Sequence, residues 1–287
     1  MIAVVPTWNG REDTLACLDS LRDVKVVCVD NGSSDGTAHA VERRHPEVEL
    51  IRNGTNLGFA GGSNAGIRRA LQRGADWVLL LNNDAIAEPG LVPALERAAA
   101  ERRDAGVLAC KVLFADAPDT LEYAGARFHV LLGYSGRQRG YGRRDDGRFD
   151  ELRDVGRATG AAMAVSRAAI ERAGLLDERL FAYVEDAEWC LRIRAAGFAI
   201  VFVPDARVRH RGGSSTGGRA SPTALYYHAR NTLAVCEQHR PLPRGLRAFR
   251  CGVVIGTHLL QARGRDAARA VLDGWRDYRA GRMGARG

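Results

Sequence analysis

Short apolar runs alternate with stretches of helical spacing over the first 110 residues. The apolar runs predict five strands, at residues 2–5, 26–29, 48–51, 77–81 and 106–110. Between them, apolar residues recur every three or four positions, which predicts helices at residues 12–22, 37–44, 62–73 and 89–103. Apolar strands joined by helices are typical of a parallel sheet that is buried on both faces. The pattern therefore predicts an α/β fold with a Rossmann-like, mostly parallel central sheet flanked by helices.

Polar side chains follow four of these strands at the point where each strand ends. The fourth strand shows this most clearly, because Leu81 is followed directly by Asn82, Asn83 and Asp84. The other polar residues at strand ends are Thr7 and Asn9, then Asp30, then Asn53 and Asn56. In open α/β sheets, ligands bind outside the carboxyl ends of the strands. One structural turn explains any single case, but all four together favour a binding crevice.

The second half of the chain is less regular and ends in a basic segment. The pattern predicts helices at residues 165–173, 184–196 and 223–238 and a strand at 199–203. Two stretches rich in Gly, at residues 133–150 and 212–218, are interpreted as long mobile loops. The tail after residue 241 is rich in Arg and helical in period. We therefore expect a catalytic domain at residues 1–235 and a basic helical C-terminal extension at 236–287.

Composition narrows the class of protein. The chain has 287 residues and a formal net charge of +8, and Lys25 and Lys111 are its only lysines. An arginine-rich, alanine-rich chain is weak support for nucleic-acid binding, and we expect no nucleic-acid partner. The six cysteines are scattered without a CxxC pair, which favours buried thiols in a reducing compartment. The first residues do not resemble a secretory signal, and no apolar run is long enough to span a membrane. We expect a cytoplasmic protein, either soluble or peripheral at the inner face of the plasma membrane.

Five stretches then occur in a fixed order: VVPTWNG, VCVDNGSSDGT, NLGFAGGSNAGI, LLLNNDA and GAAMAVSRAAIERAGLLDERLFAYVEDAEWCLRIRAAGF. Over about residues 1–235, the chain resembles family 2 glycosyltransferases of the GT-A type, and within them the bacterial rhamnosyltransferase-like enzymes of cell-surface polysaccharide synthesis. Each motif alone is weak, whereas five in order are specific. The resemblance implies a nucleotide-diphospho-sugar donor, a divalent metal ion and inversion at the anomeric carbon.

The resemblance also implies which residues bind the donor. In it, Asp30 accepts a hydrogen bond from the imide of uracil or thymine, and a Gly-rich turn at a helix N-terminus approaches the diphosphate. The implied donor-binding set is Pro6, Thr7, Asn9, Asp30, Asn31, Gly58, Gly61, Asn64, Asn82 and Asn83. A structural alternative remains open, because Asp30 also suits a turn and the glycines suit a plain loop.

The metal motif of the family departs from its usual form here. Where relatives have two aspartates around a central residue, this chain has Asn82-Asn83-Asp84, so only Asp84 keeps a carboxylate. The resemblance places Mn²⁺ or Mg²⁺ on Asp84, because both ions bind oxygen ligands and neutralise the charge of a diphosphate leaving group. It also implies His210 as a second ligand of the ion. A lone histidine is more often structural, and that alternative stays open for His210.

Two adjacent acids, Glu185 and Asp186, open the helix predicted at residues 184–196. By resemblance, Asp186 is the general base that takes the proton of the acceptor hydroxyl. The resemblance implies three acceptor-binding residues, Gly160, Glu185 and Trp189. Trp189 is three positions from Asp186, which predicts that the two side chains share one face of the helix. The alternative is that acids favour the first turn of a helix through its dipole. The Glu188 and Arg192 pair is interpreted as a surface ion pair.

Together these interpretations predict a metal-dependent, inverting glycosyltransferase. Its expected partners are a UDP- or dTDP-sugar, with rhamnose favoured, and a glycan or lipid-linked saccharide as acceptor. The alternatives are a catalytically inactive glycan- or nucleotide-sugar-binding protein and a sugar-phosphate nucleotidyltransferase. The latter is disfavoured because no Gly-rich loop with an activating Arg or Lys follows the first strand. The segment at residues 244–265 has an apolar centre flanked by arginines, which suits either a helix in an anionic headgroup layer or one packed on the catalytic domain.

Overall fold

The computed structural model describes residues 1–127, 133, 137–212 and 220–286. Its strands are β1 (Ile2–Thr7), β2 (Lys25–Asp30), β3 (Glu49–Arg52), β4 (Trp77–Leu81), β5 (Ala85–Ala87), β6 (Ala105–Phe114), β7 (Leu121–Tyr123), β8 (Ala126–Arg127), β9 (Arg137–Gln138), β10 (Arg153–Asp154), β11 (Ala162–Ser166) and β12 (Ala199–His210). Its helices are α1 (Arg11–Asp19), α2 (Thr37–Arg44), α3 (Gly58–Gln72), α4 (Leu91–Glu101), α5 (Arg167–Ala173), α6 (Glu185–Ala195), α7 (Pro222–His239), α8 (Arg244–Gln261) and α9 (Arg265–Arg279). A short 3₁₀ helix spans Glu178–Leu180.

Ten of the described strands form one sheet whose central strands are almost wholly buried. The order along its main path is β10-β12-β6-β11-β4-β1-β2-β3, while β5 pairs with β12 and β7 with β6. The pairs β1–β2, β1–β4, β2–β3 and β6–β12 are parallel, and β11 runs antiparallel between β4 and β6. Helices cover both faces. This confirms the predicted α/β fold with a central sheet flanked by helices, and four of the seven strand pairs along the main path are parallel.

Two predicted elements in the second half of the chain are wrong at their boundaries. The helix predicted at residues 165–173 begins only at Arg167, because Val165 belongs to the buried strand β11. The strand predicted to end at residue 203 continues to His210. The register between β12 and β6 shifts between Val203 and Arg207, which marks a bulge in the strand. The proline in this stretch does not end the strand, because proline is tolerated at a bulge. His210 is therefore the last residue of a strand and does not lie in a loop after it.

The described part of the segment predicted as a mobile loop packs against the sheet. Lys111 of β6 is fully buried, and its ammonium group lies 2.8 Å from a carboxylate oxygen of Asp145. Phe149 is also buried. Residues 137–150 are thus anchored by a buried ion pair and an aromatic contact. The second predicted loop, at residues 212–218, lies outside the described residues except for Gly212.

The C-terminal helices pack on α7, so they are not detached from the preceding part of the chain. The boundary predicted between residues 235 and 236 falls inside α7. Leu225 and Ala229 of α7 form an apolar cluster with Ala267 and Val271 of α9. Within the described residues, no helix has the length and apolar character needed to cross a membrane. The six cysteines, which all lie in the described part of the chain, form no disulfide, and five of them are buried as the sequence predicts.

Candidate active site

A large cavity opens at the edge of the sheet where the parallel strands β1 and β4 end. Its volume is about 1720 Å³. Pro6 and Thr7 line one part, Asp84 and His210 line another, and Asp186 lines a third. The fold therefore brings six of the ten predicted donor-binding residues, both predicted metal ligands and the predicted base to a single cavity.

Asn83 joins the ends of β1 and β4. Its side-chain amide nitrogen lies 3.2 Å from Thr7 Oγ1 and 3.1 Å from Thr14 Oγ1, and it donates to these hydroxyls. The hydroxyls of Thr7 and Thr14 are themselves 2.8 Å apart. This buried network fixes the side chain of Asn83 and the first turn of α1 at the cavity wall. The hydrogen bonds of the Asn83 amide nitrogen are therefore made within the protein.

Asn31 organises the loop that leads into α3. Its amide nitrogen donates to the carbonyl of Gly58 at 2.8 Å, while its Oδ1 accepts from Asn53 Nδ2 at 3.0 Å and from Leu57 N at 3.2 Å. Asn31 is buried and lines the cavity. The loop after β3 is therefore clamped onto the end of β2 by one side chain.

Asp30 and Asn9 hold the turn after β2. Asp30 lies beside Thr7 in the sheet, and its carboxylate accepts from Ser33 N at 3.3 Å. Asn9 Oδ1 accepts from Ser34 N at 2.9 Å. Neither residue belongs to the lining of the cavity in the described chain. Both contacts match the structural alternative that the sequence left open for Asp30, and its predicted contact with a base stays a prediction.

Gly58 and Gly61, in the first turn of α3, are required by protein packing. Gly58 lines the cavity and has a φ of 74°, and a β-carbon there would overlap the carbonyl oxygen of Phe181. At Gly61 a β-carbon would lie 2.7 Å from Leu57 Cβ. The close approach that these glycines permit is therefore to other parts of the chain. This does not test the predicted diphosphate contact.

The structure corrects the prediction that Asn64 faces into the site. Asn64 is only 1% exposed. Its amide donates to Leu176 O and to Glu178 Oε1, both at 2.9 Å, and its Oδ1 accepts from Leu176 N at 3.1 Å. Asn64 thus fastens the segment before α6 to α3, and its polar atoms are used within the protein.

Asp84 and His210 lie in contact, and a third residue completes the cluster. The pairing of β5 with β12 sets Ala85 opposite His210, which brings Asp84 next to the imidazole. His210 Nε2 is 3.1 Å from Asp84 Oδ1, and His210 Nδ1 is 2.8 Å from Glu122 Oε2. All three side chains are buried. Glu122, in β7, was not among the residues predicted for the site.

The two carboxylates determine the charge of His210 when no cation is bound. Burial lowers the pKa of His210, but its hydrogen bonds with Asp84 and Glu122 outweigh burial and raise the pKa to about 10. The imidazole is therefore protonated at neutral pH and shares its two protons with the two acids. A positive charge between Asp84 and His210 is thus favoured by the site, and a bound cation would replace the proton on Nε2.

The donor chemistry around Asp84 fits a Mn²⁺ or Mg²⁺ ion that is also bound by a ligand. Within the described residues, no group of three or more His, Cys, Asp and Glu side chains is arranged to hold a metal ion by itself. The cluster supplies one carboxylate and one imidazole, and ions of this type complete their shells with phosphate oxygens and water. Asn82 Oδ1, which is buried without a hydrogen-bond partner among the described residues, lies in the same cavity. Glu122 would orient the imidazole from behind.

Asp186 is held at the start of α6 by main-chain donors. Gly160 N donates to Asp186 Oδ2 at 2.8 Å, and Ala187 N donates to Oδ1 at 2.6 Å. Arg157 Nη1 lies 3.7 Å from Oδ2. The carboxylate still lines the cavity. Gly160, predicted to bind the acceptor, is thus seen here to position Asp186.

Glu185 is the more buried of the two acids. Its Oε2 has no hydrogen-bond partner among the described residues, although Glu185 lines the cavity. Burial, together with the nearby charge of Asp186, raises the pKa of Glu185 well above its ordinary value. Two adjacent carboxyls therefore have different environments: Asp186 accepts main-chain N–H groups, and Glu185 favours its protonated form.

The backbone before α6 is strained, and α7 supports it. Tyr183 and Val184 have φ angles of 66° and 73°, which are costly for residues with a β-carbon and especially for a β-branched one. The buried amide of Asn231 donates to the carbonyls of Leu180, Ala182 and Tyr183 at 2.9, 2.8 and 2.8 Å. The helix that carries Glu185 and Asp186 is therefore aimed by a side chain of α7.

Trp189 does not face the cavity, which corrects its predicted role as a platform for sugar. The residue is 1% exposed, and its indole Nε1 donates to Gly174 O at 2.7 Å. The predicted surface pair of Glu188 and Arg192 is also wrong. Glu188 is fully buried and lies 2.8 Å from Arg192 Nη2 and 3.0 Å from His239 Nε2. The contact with His239 ties α6 to α7.

The last wall of the cavity comes from α7 and α8, which sequence reasoning did not assign to the site. His228 and Thr257 line it, and the ring of His228 lies 4.6 Å from that of Tyr183 and 6.0 Å from that of His258. Rings and hydroxyls that line the same cavity as Asp186 are suited to binding a polar molecule with apolar faces. Their contribution depends on how the C-terminal helices fold back, so no local motif indicates it.

Comparisons with known proteins show the family to which the chain belongs. Residues 1–246 match the family described as "Glycosyltransferase like family 2". The chain is 31% identical over 271 residues to the N-acetylglucosaminyl-diphospho-decaprenol L-rhamnosyltransferase of Mycobacterium tuberculosis, an alignment that covers 85% of this chain and 87% of the relative. It is 26% identical over 265 residues to a dTDP-rhamnosyl transferase of Shigella flexneri, with 85% and 83% covered.

Solved structures share the fold at lower identity. The mannosyltransferase of Pyrobaculum calidifontis, solved with GDP-Man and Mn²⁺, has a TM-score of 0.56 and 16% identity and covers 97% of this chain and 81% of its own. TarS residues 1–349 of S. aureus, solved with UDP-GlcNAc, have a TM-score of 0.61 and 16% identity, with 96% and 80% covered. The resemblance and the fold predicted from the sequence are both confirmed. The chain belongs to glycosyltransferase family 2, has the GT-A fold, and is similar in sequence to rhamnosyltransferases of that family.

Proposed function

We propose that this chain is a metal-dependent, inverting glycosyltransferase that moves a sugar, in the first instance rhamnose, from a dTDP- or UDP-sugar to a lipid-linked saccharide. The observation that carries the proposal is the single cavity that Asp84 and His210 share with Asp186. Leaving-group stabilisation and proton removal are needed together in one transfer step, and each has a suitable group here.

The donor would lie along the ends of β1, β2 and β4. Pro6, Thr7 and Asn31 would contact the nucleoside, and the clamped loop before α3 would face the diphosphate. Asp30 is assigned to the imide of uracil or thymine by family resemblance, although its carboxylate also accepts from Ser33 N. The names of the relatives from Mycobacterium tuberculosis and Shigella flexneri support rhamnose, and the second names a dTDP-linked form.

Asp84 and His210 would hold the cation, with Asn82 close enough to contribute its side-chain oxygen or to bind the ribose. A bound Mn²⁺ or Mg²⁺ supplies positive charge that stabilises the diphosphate as it leaves. Asn83, fixed by Thr7 and Thr14, keeps the end of β4 in register with β1. Glu122 accepts from His210 Nδ1 and so leaves Nε2 facing Asp84.

Asp186 would act as the general base. Its carboxylate is held by Gly160 N and faces the cavity, where the acceptor would lie. The acceptor oxygen forms a bond with the anomeric carbon while the bond from that carbon to the diphosphate oxygen breaks, and Asp186 takes the hydroxyl proton. Attack opposite the leaving group inverts the anomeric carbon. Glu185, favouring its protonated form, would donate a hydrogen bond to the acceptor.

The acceptor would bind between Asp186 and the wall made by α7 and α8. The relative from Mycobacterium tuberculosis is named for an N-acetylglucosaminyl-diphospho-decaprenol acceptor, which supports a saccharide on a polyprenyl diphosphate. Such a substrate is embedded in a membrane, so we place the enzyme at the cytoplasmic face of the plasma membrane.

The test measures nucleotide release from dTDP-rhamnose by the purified protein, with and without Mn²⁺ and with and without a polyprenyl-diphosphate-linked N-acetylglucosamine. We expect release that requires Mn²⁺ and increases with the acceptor, and none from Asp84→Ala. Calorimetry with dTDP, UDP and GDP separates the nucleotides. Equal affinity for GDP would contradict the assigned role of Asp30. Donor binding without any turnover would instead identify a nucleotide-sugar-binding protein that has lost catalysis.

A further inference from the structure

The net positive charge of this protein is concentrated in its C-terminal helices. Residues 241–287 contain ten arginines against three aspartates and no other charged residue apart from histidine, so nearly all of the net charge of +8 lies in this segment. Arg265, Arg269, Arg276 and Arg279 fall on the face of α9 that is turned away from α7, and all four are exposed. This surface is strongly positive, which favours contact with a polyanion or an anionic membrane.

The neighbouring helix α8 exposes an apolar stripe. Leu246, Phe249, Val253 and Leu260 recur at helical spacing and lie on one face. Phe249 is 59% exposed and Leu260 is 90% exposed, although both are large apolar side chains. The remainder of the outward surface of α8 contains glycine and alanine at Gly245, Ala248 and Gly252. No charged residue of α8 lies on this stripe.

A second cavity, of about 690 Å³, lies in the groove between α8 and α9. Arg244, Arg247 and Arg279 line it together with Ile255 and Trp275. Arg247 also pairs with Glu237 at 3.1 Å and remains partly exposed. Three guanidinium groups beside an apolar floor suit a ligand that has an anionic head and an apolar body.

We infer that α8 and α9 form a surface, composed of the apolar stripe and the arginines beside it, that docks on an anionic phospholipid bilayer. The stripe of α8 would enter the boundary between headgroups and acyl chains, and the arginines of α9 and of the groove would contact lipid phosphates. A nucleic acid would use the positive charge but not the apolar stripe, so the combination favours a lipid surface.

The stripe borders the active-site cavity. Thr257 and Gln261 line that cavity and lie on the side of α8 next to Val253 and Leu260. A lipid-linked acceptor could therefore keep its chain in the bilayer while its saccharide passes α8 toward Asp186. This second step rests on the proposed function, whereas docking on a bilayer does not.

The docking is tested by sedimentation of the full chain with vesicles of phosphatidylcholine alone or with 30 mol% phosphatidylglycerol, a composition of about one anionic lipid in three. We expect binding only to the anionic vesicles, and weaker binding at high salt because charge is screened. Phe249→Gln with Leu260→Gln should reduce binding on the order of ten-fold for each residue. Arg265→Gln with Arg269→Gln should reduce it on the order of five-fold for each.

Matched controls separate a specific surface from general attraction. Arg43→Gln with Arg103→Gln removes the same charge from exposed positions elsewhere, and Leu57→Gln removes an exposed leucine outside α8. These variants should bind like the wild type. An equal loss in the controls, or no binding by the wild type, would overturn the docking surface. A dimer in analytical ultracentrifugation that Phe249→Gln dissociates would assign the stripe to a second copy of the chain instead.

The acceptor step has a separate readout. Turnover with a polyprenyl-linked acceptor in vesicles should fall in Phe249→Gln with Leu260→Gln, while turnover with a short-chain, water-soluble analogue should not change. Normal vesicle binding without turnover on either acceptor would reject the proposed function and leave the docking surface intact. Equal turnover of the vesicle-borne acceptor by wild type and variant would reject delivery along α8.

Discussion

Glu122 and His210 are joined by a buried hydrogen bond in which Glu122 Oε2 lies 2.8 Å from His210 Nδ1. The other imidazole nitrogen faces Asp84 at 3.1 Å. A histidine that binds a metal through one ring nitrogen is often held by a carboxylate at its other ring nitrogen, which fixes the orientation of the ring. Glu122 is thus a positioning residue for the proposed cation site.

Glu122→Gln is expected to weaken Mn²⁺ binding in the presence of dTDP by about 10- to 100-fold, because the glutamine holds the ring less firmly and makes it less basic. Isothermal calorimetry measures this affinity without turnover. Glu101→Gln, an exposed substitution of the same kind, is the control. Unchanged Mn²⁺ affinity together with a lower melting temperature would show that Glu122 is only structural.

Asp186→Asn is expected to lower kcat by about 10²- to 10⁴-fold, since the amide keeps the size of the carboxylate but cannot accept a proton. Binding of dTDP and Mn²⁺ should change little, because Asp186 is assigned to the acceptor side of the cavity. Stopped assays of product and calorimetry of dTDP binding supply the two measurements. Loss of nucleotide binding would move Asp186 to the donor side.

Glu185→Gln provides the comparison for that base assignment. It should raise the KM for the acceptor more than it lowers kcat, because Glu185 is proposed to bind the acceptor hydroxyl without taking its proton. If Glu185→Gln were the inactive variant and Asp186→Asn the active one, the base would be Glu185.

The sequence predicted the sheet and the polar edge well because both depend on local patterns. An apolar run that is followed directly by Asn82, Asn83 and Asp84 is typical of a buried strand that ends at a binding site. The pair Glu185 and Asp186 was equally visible as the start of a helix. Asn82, Asn83 and Asp84 reach the cavity because parallel strands place their carboxyl ends along the same edge.

Side-chain direction could not be predicted in the same way. Trp189 was expected to share the face of Asp186, but three residues advance about 300° around a helix and leave an offset of about 60°. That offset suffices to turn the indole of Trp189 toward Gly174 in the interior. Asn64 was likewise expected in the site, but the chain around Leu176 approaches it from more than a hundred residues away and uses its amide.

Glu122 and the wall from α7 and α8 escaped prediction because their position is a property of the whole fold. Glu122 lies in the short strand β7, which only the pairing with β6 brings near His210. β11 was missed because its apolar run continues directly into a helix. In each case the determining contact is between segments distant in sequence.

Asn231 offers a test of how α7 aims α6, the helix that carries the proposed base. Asn231→Ala leaves the carbonyls of Leu180, Ala182 and Tyr183 without a common donor, and should lower the free energy of unfolding by about 2–3 kcal/mol. It should also lower kcat, because the strained residues Tyr183 and Val184 can relax and shift Asp186. Urea denaturation and initial rates measure the two effects.

A conservative substitution isolates the donor. Asn231→Asp keeps the volume but removes the N–H groups and places a carboxyl group against three carbonyl oxygens, so it should destabilise the protein at least as much as alanine does. Thr232→Val is the neighbouring control for stability, because the Thr232 hydroxyl has no hydrogen-bond partner among the described residues. If Asn231→Asp folds with wild-type stability, hydrogen bonding by Asn231 does not hold the segment.

The pH dependence of stability tests the state of Glu185. Burial and the charge of Asp186 raise the pKa of Glu185 in the folded protein well above its value in the unfolded chain. Between those two pKa values the folded state holds the proton more tightly. The stability that the protonated carboxyl contributes is therefore complete below the unfolded pKa and is lost as pH rises toward the folded pKa, by at most about 1.4 kcal/mol per pH unit for this group.

Glu185→Gln removes this titration and keeps the shape of the protonated acid. Its free energy of unfolding should match that of the wild type near pH 4 and exceed it increasingly toward pH 8, as measured by urea denaturation across that range. Asp186→Asn removes one of the two causes of the raised pKa, so in that background the stability gained from Glu185→Gln at pH 8 should shrink. If the wild type is more stable than Glu185→Gln at pH 8, Glu185 is ionised and stabilised in the folded protein. Its carboxylate would then accept hydrogen bonds and would compete with Asp186 for the proton of the substrate hydroxyl.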